Sequence, residues 1–208
     1  MILEKLIYDK VETHGEQNKA VVVIHGWKGN KDSFKSIASF LKLSETTWFF
    51  PEAPFDFDGD ESKKTWTYQK NNGDWEVEKP KALLDDFFKT IVFEKFKPEK
   101  VYVMGFSQGA TVCYEFVLSL DHKFAGVFPI AGFLRDPKGE IKIHPNQFET
   151  PILIGHGRQD DVVPFEASEI AFEKFSKICC NVKFHAYNGK HKIGVEYLRE
   201  VKKMIELD

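Results

Sequence analysis

The nine residues VYVMGFSQG at positions 101–109 give the clearest indication of the fold. Residues 101–104 are an apolar run typical of a buried strand, and Gln108 to Leu120 is predicted to be a helix. Between them lies the pattern G-x-S-x-G, a sharp strand-to-helix turn that holds its serine in a strained conformation and requires small flanking residues. Ser107 is therefore predicted to project its hydroxyl above the carboxyl edge of a sheet. The adjacent helix N-terminus offers free N–H groups that suit an oxyanion.

The rest of the chain alternates strand-like and helix-like segments. Short apolar or β-branched runs predict strands at 20–24, 47–50, 126–130, 152–154 and 182–187. Apolar residues at helical spacing predict helices at 34–41, 80–96, 165–178 and 195–205. The first has Asp32 available as its N-cap, and the second has Pro80 at its start. This order predicts one α/β domain over residues 1–208, with a mainly parallel central sheet and helices on both faces.

Composition and charge narrow the classes of partner. The chain has 208 residues and a formal net charge of −3, with both signs interspersed, so nothing favours nucleic acid or an anionic membrane. Charges within residues 1–6, and no apolar run of about 18 residues, lead us to expect neither a secretory leader nor an integral membrane protein. The cysteines at 113, 179 and 180 fit neither a disulfide framework nor a zinc site, so we expect a reducing cytoplasmic location.

Residues 55–78 depart from the strand and helix alternation because they are rich in acidic and aromatic residues. The sequence Asn71-Asn72-Gly73-Asp74 suits a tight reversal, so a short hairpin is predicted between residues 65–70 and 75–78. The aspartates at 56, 58 and 60 are only superficially like a calcium loop, since Gly59 is misplaced for its turn and Thr67 replaces the bidentate Glu. A solvated acidic loop is predicted there, and no metal site.

A nucleophilic serine needs a base, and the base needs an orienting carboxylate. In folds with this turn the chain order is serine, acid, histidine. His191 follows the last predicted strand and is the favoured base, whereas His156 and His185 are expected to be structural. Asp160 and Asp161 both follow the strand at 152–154; Asp160 is the favoured acid, and Asp161 is the alternative.

The oxyanion donors are predicted to be backbone groups. In such folds the second donor comes from the loop after the first long buried strand, here His-Gly-Trp-Lys-Gly-Asn at 25–30. The N–H groups of Trp27 and Gln108 are therefore the predicted pair. Each such donor contributes on the order of 3 kcal/mol to the transition state.

Three motifs carry a family resemblance. They are Gly-Phe-Ser-Gln-Gly-Ala at 105–110, His-Gly-x-x-Asp-x-Val-Val-Pro at 156–164 and His-Gly-x-x-Gly at 25–29. With them the chain resembles, over nearly its whole length, the phospholipase/carboxylesterase family, to which acyl-protein thioesterases and small bacterial carboxylesterases belong. The resemblance implies an α/β hydrolase without a large cap domain. It also implies Ser107, Asp160 and His191 as catalytic triad, with the Trp27 and Gln108 amides as oxyanion donors.

The resemblance also bears on the open choices. It implies Asp160 as the acid and not its neighbour, because the family's acid stands immediately before x-Val-Val-Pro. The family often has Leu where Trp27 stands, so the indole is expected to narrow the acyl pocket. The segment from Trp66 to Glu78 looks closer to a related family of small serine hydrolases, and residues 55–78 are a candidate flap. Trp66 and Tyr68 are therefore candidate substrate contacts, with core packing as the alternative.

The leading functional hypothesis is a serine carboxylesterase that acts through an acyl-enzyme and needs no cofactor or metal. Thioesters follow the same path, so acyl-protein thioesterase, lysophospholipase and peptidase activities stay open as alternatives. The rival from another class is a non-catalytic binding protein on the same fold, which we would expect to lack Ser107, His191 or Asp160. The expected partner is a small-molecule ester, and the chain is expected to be a monomer or a homodimer.

Overall fold

The computed structural model of the protein describes residues 4–207. Half of residues 1–6, on which the expectation of no secretory leader rests, therefore lies outside the described residues. The described strands are β1 (Tyr8–Glu12), β2 (Lys19–Ile24), β3 (Thr46–Pro51), β4 (Phe55–Phe57), β5 (Asp60–Thr65), β6 (Val101–Phe106), β7 (Gly126–Ile130), β8 (Ile152–Gly157) and β9 (Val182–Tyr187). The α-helices are α1 (Ser36–Leu41), α2 (Glu78–Phe87), α3 (Gln108–Glu115), α4 (Phe165–Ser176) and α5 (Val195–Glu206). Among these residues no helix combines the length and apolarity that a membrane span requires.

Seven of the described strands form one sheet in the order β1-β3-β2-β6-β7-β8-β9. In this sheet β1 is antiparallel to β3, and all the other neighbours are parallel. The remaining two described strands, β4 and β5, form a separate antiparallel ribbon. The predicted mainly parallel central sheet is confirmed.

Side chains of the central strands alternate between two apolar layers, because successive residues of a strand point to opposite faces. Val22 and Ile24 of β2 belong to the layer packed against α2, α3 and α4. Val21 and Val23 of the same strand belong to the layer shared with α1 and α5. Helices therefore cover both faces, which explains why the central strands are apolar throughout.

The carboxyl ends of four parallel strands meet at one edge of the sheet. Ile24 at the end of β2 pairs in register with Gly105 of β6, and Gly157 at the end of β8 pairs with Tyr187 at the end of β9. The loops that follow these strands begin at this shared edge. They contain the predicted triad and Trp27, and Gln108 begins α3 directly after Ser107.

Several element boundaries differ from the predicted ones. The helix expected at 34–41 begins at Ser36 without a side-chain cap, so the prediction of Asp32 as its N-cap is wrong; Asp32 forms an ion pair with Lys35. The helix expected at 80–96 begins two residues earlier, and beyond Phe87 it continues as a π-helical turn over Phe88–Val92. β1 was not predicted, because its mostly exposed residues have no apolar face to reveal it.

The hairpin predicted around Asn71–Asp74 is only partly present. The chain does reverse there, and a single antiparallel bridge joins Gln69 to Trp75. No strand ladder flanks this reversal in the described residues, and the ladder lies upstream instead, between β4 and β5. Both outer ends of the predicted hairpin are used elsewhere, since the N–H of Trp66 donates to Oε1 of Gln108 at 3.0 Å and α2 begins at Glu78.

Helix α3 packs so closely on β2 that Gly109 has no room for a side chain. A Cβ at Gly109 would lie 2.2 Å from the carbonyl oxygen of Ile24. We expect Gly109→Ala to lower the free energy of unfolding by about 2–3 kcal/mol, because backbone atoms would have to move apart. Urea unfolding measures the loss. Gly189→Ala is the matched control, since a Cβ there meets contacts of 3.4 Å or more. Equal stability of the two variants would contradict the close approach.

Candidate active site

Ser107 lies at the turn between β6 and α3. Its backbone has φ 54° and ψ −116°, a conformation that non-glycine residues rarely adopt. Its N–H donates to the carbonyl oxygen of Ile130 in β7 at 2.8 Å. The turn is so tight that a Cβ at Gly105 would lie 2.2 Å from the carbonyl oxygen of Gly109. Small residues on both sides of Ser107 are therefore a requirement of the backbone.

His191 follows β9, and its ring lies between Ser107 and Asp160. Its Nε2 is 3.1 Å from Oγ of Ser107, and its Nδ1 is 2.7 Å from Oδ2 of Asp160. A carboxylate can only accept, so Nδ1 carries the ring proton and Nε2 is left to accept the serine O–H. The ring of Phe106 packs against the imidazole with centroids 4.8 Å apart. The three side chains form one continuous chain of hydrogen bonds.

The side chain of Asp160 is fully buried beneath His191. Its Oδ1 accepts from the N–H groups of Val162 and Val163, both at 2.9 Å, while its Oδ2 accepts from His191. Burial acts to raise the pKa of Asp160, but the hydrogen bonds from His191 and the two valine amides outweigh burial and hold the pKa below its ordinary value. The carboxylate is therefore charged where it accepts from the imidazole of His191.

A second histidine, His156, also contacts Asp160. Its Nε2 lies 3.2 Å from Oδ2 of Asp160 and 3.1 Å from the carbonyl oxygen of Val163, and its Nδ1 lies 2.7 Å from Oγ of Ser168. Both neighbours of Nε2 are acceptors, so Nε2 carries the proton and Ser168 donates to Nδ1. Burial lowers the pKa of His156 and favours this neutral form. His156 thus supports the carboxylate from a second direction.

The loop at 25–29 is fixed by the buried side chain of His25. Its Nε2 accepts from the N–H of Ala53 at 3.0 Å, so Nδ1 carries the proton and donates to the carbonyl oxygen of Gly26 at 2.8 Å. Burial lowers the pKa of His25 to about 4. Sequence reasoning missed this positioning role. The available signal was a histidine directly after a wholly apolar strand and before a glycine.

The two predicted oxyanion amides flank Ser107. A Cβ at Gly26 would lie 3.2 Å from Cβ of Ser107, so the loop carrying the Trp27 amide lies directly beside the serine. In the described part of the chain the N–H of Trp27 has no acceptor. The N–H of Gln108 belongs to the first turn of α3, where helical N–H groups lack an intrahelical partner. Both donors are free to bind a substrate oxygen.

The side chain of Gln108 ties the candidate flap, residues 55–78, to the site. Its Oε1 accepts from the N–H of Trp66 at 3.0 Å. Its Nε2 donates to Oγ1 of Thr65 at 2.9 Å and to the carbonyl oxygen of Thr67 at 3.2 Å. The segment is therefore docked on the residue that supplies one of the predicted oxyanion amides.

Neither of the two aromatic residues predicted as substrate contacts lines the cavity at Ser107. Trp66 is fully buried, and its Nε1 donates to the carbonyl oxygen of His25 at 3.0 Å. The prediction that Trp66 contacts substrate is wrong, and it packs in the core, where its indole can also satisfy a carbonyl. Tyr68 is exposed, but its ring packs edge-on against Phe55 with centroids 4.9 Å apart and does not line the cavity at Ser107.

A cavity of about 210 Å³ opens beside Ser107. It is lined by Gly26, Trp27, Lys28, Gly29, Ser33, Phe34, Phe106, Ser107 and His191. The indole of Trp27 is 54% exposed and packs edge-on against Phe57 of β4, with centroids 4.9 Å apart. Trp27 therefore borders the cavity while the ribbon supports it from outside.

Three features of this structure are those of an α/β hydrolase. They are the mainly parallel sheet, the serine at a strained strand-to-helix turn, and a hydrogen-bonded acid and histidine in the chain order Ser107, Asp160, His191. Residues 8–208 match the model of the phospholipase/carboxylesterase family, and the chain belongs to that family.

Individual relatives agree with this membership. The chain is 28% identical over 204 residues to an acyl-protein thioesterase 1 of Kluyveromyces lactis, covering 87% of this chain and 88% of that protein. It is 27% identical over 206 residues to the carboxylesterase SOBER1 of Arabidopsis thaliana, covering 89% of each. The crystal structure of esterase PE8 superimposes with a TM-score of 0.84 at 23% identity, covering 98% of this chain and 99% of that chain. That likeness confirms the predicted α/β-hydrolase fold.

Asp160 and Asp161 have opposite environments, which allows a matched test. Asp161 is exposed and pairs with Lys190 at 3.1 Å, whereas Asp160 is buried against His191. We expect Asp160→Asn to lower kcat for ester hydrolysis by roughly 10³–10⁴-fold, because the amide would favour the wrong imidazole tautomer. Asp161→Asn should stay within about threefold of the parent, as surface changes usually do. A larger loss at Asp161 would reassign the acid.

Proposed function

We propose that this protein is a serine carboxylesterase that hydrolyses small carboxylic esters through an acyl-enzyme on Ser107. The observation that carries the proposal is the unbroken chain of hydrogen bonds from Asp160 through His191 to Ser107. All three members are present, which disfavours the non-catalytic binding protein. Membership of the phospholipase/carboxylesterase family supports the same reaction.

The reaction proceeds in two steps, acylation of Ser107 and hydrolysis of the acyl-enzyme. Nε2 of His191 takes the proton of Ser107 as Oγ bonds to the ester carbon, and the carbonyl oxygen becomes an oxyanion facing the amides of Trp27 and Gln108. The carbon–oxygen bond to the alcohol then breaks, and Nε2 returns the proton to the leaving oxygen. Water next attacks the acyl-enzyme with His191 again as base, and the acid departs as Oγ regains its proton. Asp160 stabilises the imidazolium in both steps.

Thioesters are a second candidate substrate class. Thioesters are favoured by the relatives named acyl-protein thioesterase 1, of which the Kluyveromyces lactis protein is 28% identical to this chain. A thiolate is a better leaving group than an alkoxide, so the same residues perform the same two steps without another acid. Lysophospholipid cleavage is supported by the description of the matched family alone, and peptide cleavage has no supporting observation.

We further propose that residues 1–208 fold as one domain and that the protein works in the cytoplasm. The single-domain proposal is supported by one seven-stranded sheet whose two apolar layers extend across the described chain. The cytoplasmic proposal is supported by three free thiols, Cys113, Cys179 and Cys180, which reducing compartments preserve.

Ser107→Ala tests the reaction directly. We expect hydrolysis of p-nitrophenyl acetate to fall by roughly 10⁴-fold or more, because no other described group attacks the carbonyl. The melting temperature should change by no more than about 2 °C, since the variant removes a single oxygen at the surface of a cavity. A fluorophosphonate probe should label the parent protein and leave the variant unlabelled.

The outcomes of that experiment separate the alternatives. Labelling without turnover of p-nitrophenyl esters from acetate to decanoate would mean a competent serine that acts on another substrate class. Neither labelling nor turnover would contradict the proposed reaction and favour the binding protein. A large fall in melting temperature would assign Ser107 a structural role.

Trp27 lines the cavity beside Ser107, where its indole is a bulky wall. We expect Trp27→Leu to raise kcat/KM for p-nitrophenyl octanoate relative to acetate by about fivefold, because the smaller side chain admits more methylene groups. Trp75→Leu is the matched control, since Trp75 is also half-exposed but lies against Arg135 and outside the cavity. An unchanged chain-length profile at Trp27→Leu would remove the indole from the acyl pocket.

A further inference from the structure

A second, larger cavity adjoins the one at Ser107. It has a volume of about 580 Å³ and shares Ser33, Phe34, Phe106 and His191 with the first. It runs between α1 and the start of α5, and we call it the α1–α5 groove. Its apolar walls are Phe34, Ile37, Phe40, Ile193, Val195 and Leu198. An apolar path therefore leads away from the reacting serine along the side where His191 lies.

The walls of the α1–α5 groove are fixed parts of the fold. Ile37 and Leu198 are buried in the apolar layer that α1 and α5 share. The two helices are also joined by Nζ of Lys202, which donates to the carbonyl oxygen of Leu41 at 2.8 Å. The inner walls are therefore held in place by core packing before a ligand binds, which lowers the ordering entropy that opposes binding.

The outer part of the α1–α5 groove leaves large apolar side chains in water. Phe40 is 49% exposed and Val195 is 46% exposed, on opposite walls of the same groove. A single exposed apolar residue is common on protein surfaces. Two such residues that face one groove, itself continuous with the cavity at Ser107, indicate that the groove binds a ligand. The polar lining consists of serines, His191 and Lys192. The charge of Lys192 disfavours a cationic ligand.

The chemistry at Ser107 decides which part of an ester this groove holds. In the tetrahedral intermediate the ester carbon carries Oγ, an oxyanion directed at the amides of Trp27 and Gln108, the acyl chain and the leaving oxygen. The carbon–oxygen bond breaks with its electron pair on the leaving oxygen, which must receive the proton from Nε2 of His191. The leaving group therefore lies next to His191, which lines both cavities. From His191 the α1–α5 groove extends along Lys192, Ile193 and Val195, whereas the smaller cavity extends to the loop at 26–29, beside the Trp27 amide.

We propose, on the basis of the proposed esterase function, that the α1–α5 groove binds the leaving group and that the preferred substrates are esters of an uncharged, apolar alcohol with a short acyl chain. The smaller cavity, bordered by Trp27 and the loop at 26–29, holds the acyl side. The smaller cavity has a volume of about 210 Å³ and the groove one of about 580 Å³, so we expect the longer part of the substrate to be its alcohol.

Isomeric esters test this assignment, because they have equal hydrophobicity and differ only in which side is long. Hexyl acetate is compared with ethyl hexanoate, and butyl acetate with ethyl butanoate, by titration of the released acid. We expect kcat/KM to rise about two- to fourfold for each methylene added to the alcohol of the acetates, the change that burial of a methylene gives. The same lengthening of the acyl chain should change kcat/KM by less than about twofold for each methylene.

Variants connect the preference to the groove. Phe40→Ser and Val195→Ser each remove an exposed apolar wall, so the ratio of kcat/KM for hexyl acetate to that for ethyl hexanoate should fall by about fivefold in each, the loss of one to two buried methylenes. Ile170→Ser is the matched control, since Ile170 is 39% exposed on α4 and lies outside both cavities. Its ratio should equal that of the parent.

Each contrary outcome has a distinct meaning. A preference for ethyl hexanoate that these variants abolish would assign the groove to the acyl chain and overturn the proposal. An alcohol preference that neither variant alters would also overturn it. Fluorophosphonate labelling without turnover of either series would overturn the groove assignment and leave the serine chemistry intact. Absence of both labelling and turnover would instead count against the esterase function itself.

Discussion

The site depends on the contact between α3 and β2 at Gly109, where the helix backbone rests almost directly on the carbonyl oxygen of Ile24. This approach brings the N-terminus of α3 beside the loop that leaves β2. The amides of Gln108 and Trp27 thus come from two elements that backbone packing holds together. Ser107, one residue before the helix, must then turn with a positive φ. Such strain costs about 1–3 kcal/mol, and it persists because the sheet and helix on either side fix the backbone.

Three histidines at the carboxyl edge of the sheet have different tasks because their surroundings differ. His25 and His156 are fully buried, and burial lowers the pKa of each, so both rings are neutral. Each donates one N–H to a backbone carbonyl and accepts at the other nitrogen, which fixes the loop at 25–29 and the loop that carries Asp160. His191 retains some exposure and faces the charged carboxylate of Asp160. That environment suits a base that must gain and lose a proton.

The juxtaposition of Ser107, His191 and Asp160 was predictable from sequence because it depends on the backbone. A strand-to-helix turn at Ser107 needs glycines at fixed positions, and residues that follow parallel strands must meet at one edge. The reversal at Asn71–Asp74 was predictable from its turn residues, but the burial of Trp66 was not. Trp66 is held by long-range hydrogen bonds, from its N–H to Oε1 of Gln108 and from its Nε1 to the carbonyl oxygen of His25. β1 was not predictable for a related reason. It is stabilised by its pairing with β3, and its own sequence has no apolar periodicity.

The same distinction applies to substrate choice. Residues 55–78 have the aromatic composition of a substrate-binding flap. However, Trp66 packs in the core and donates to the carbonyl oxygen of His25, and Tyr68 packs against Phe55. The open apolar surface next to the reacting atoms lies instead on α1 and the start of α5, at positions that belong to no motif. Side chains such as Phe40 and Val195 can change there without disturbing the sheet edge. Under the proposed groove assignment, substitutions on α1 and α5 would change the preferred leaving group while the hydrogen-bonded residues Ser107, His191 and Asp160 stay in place.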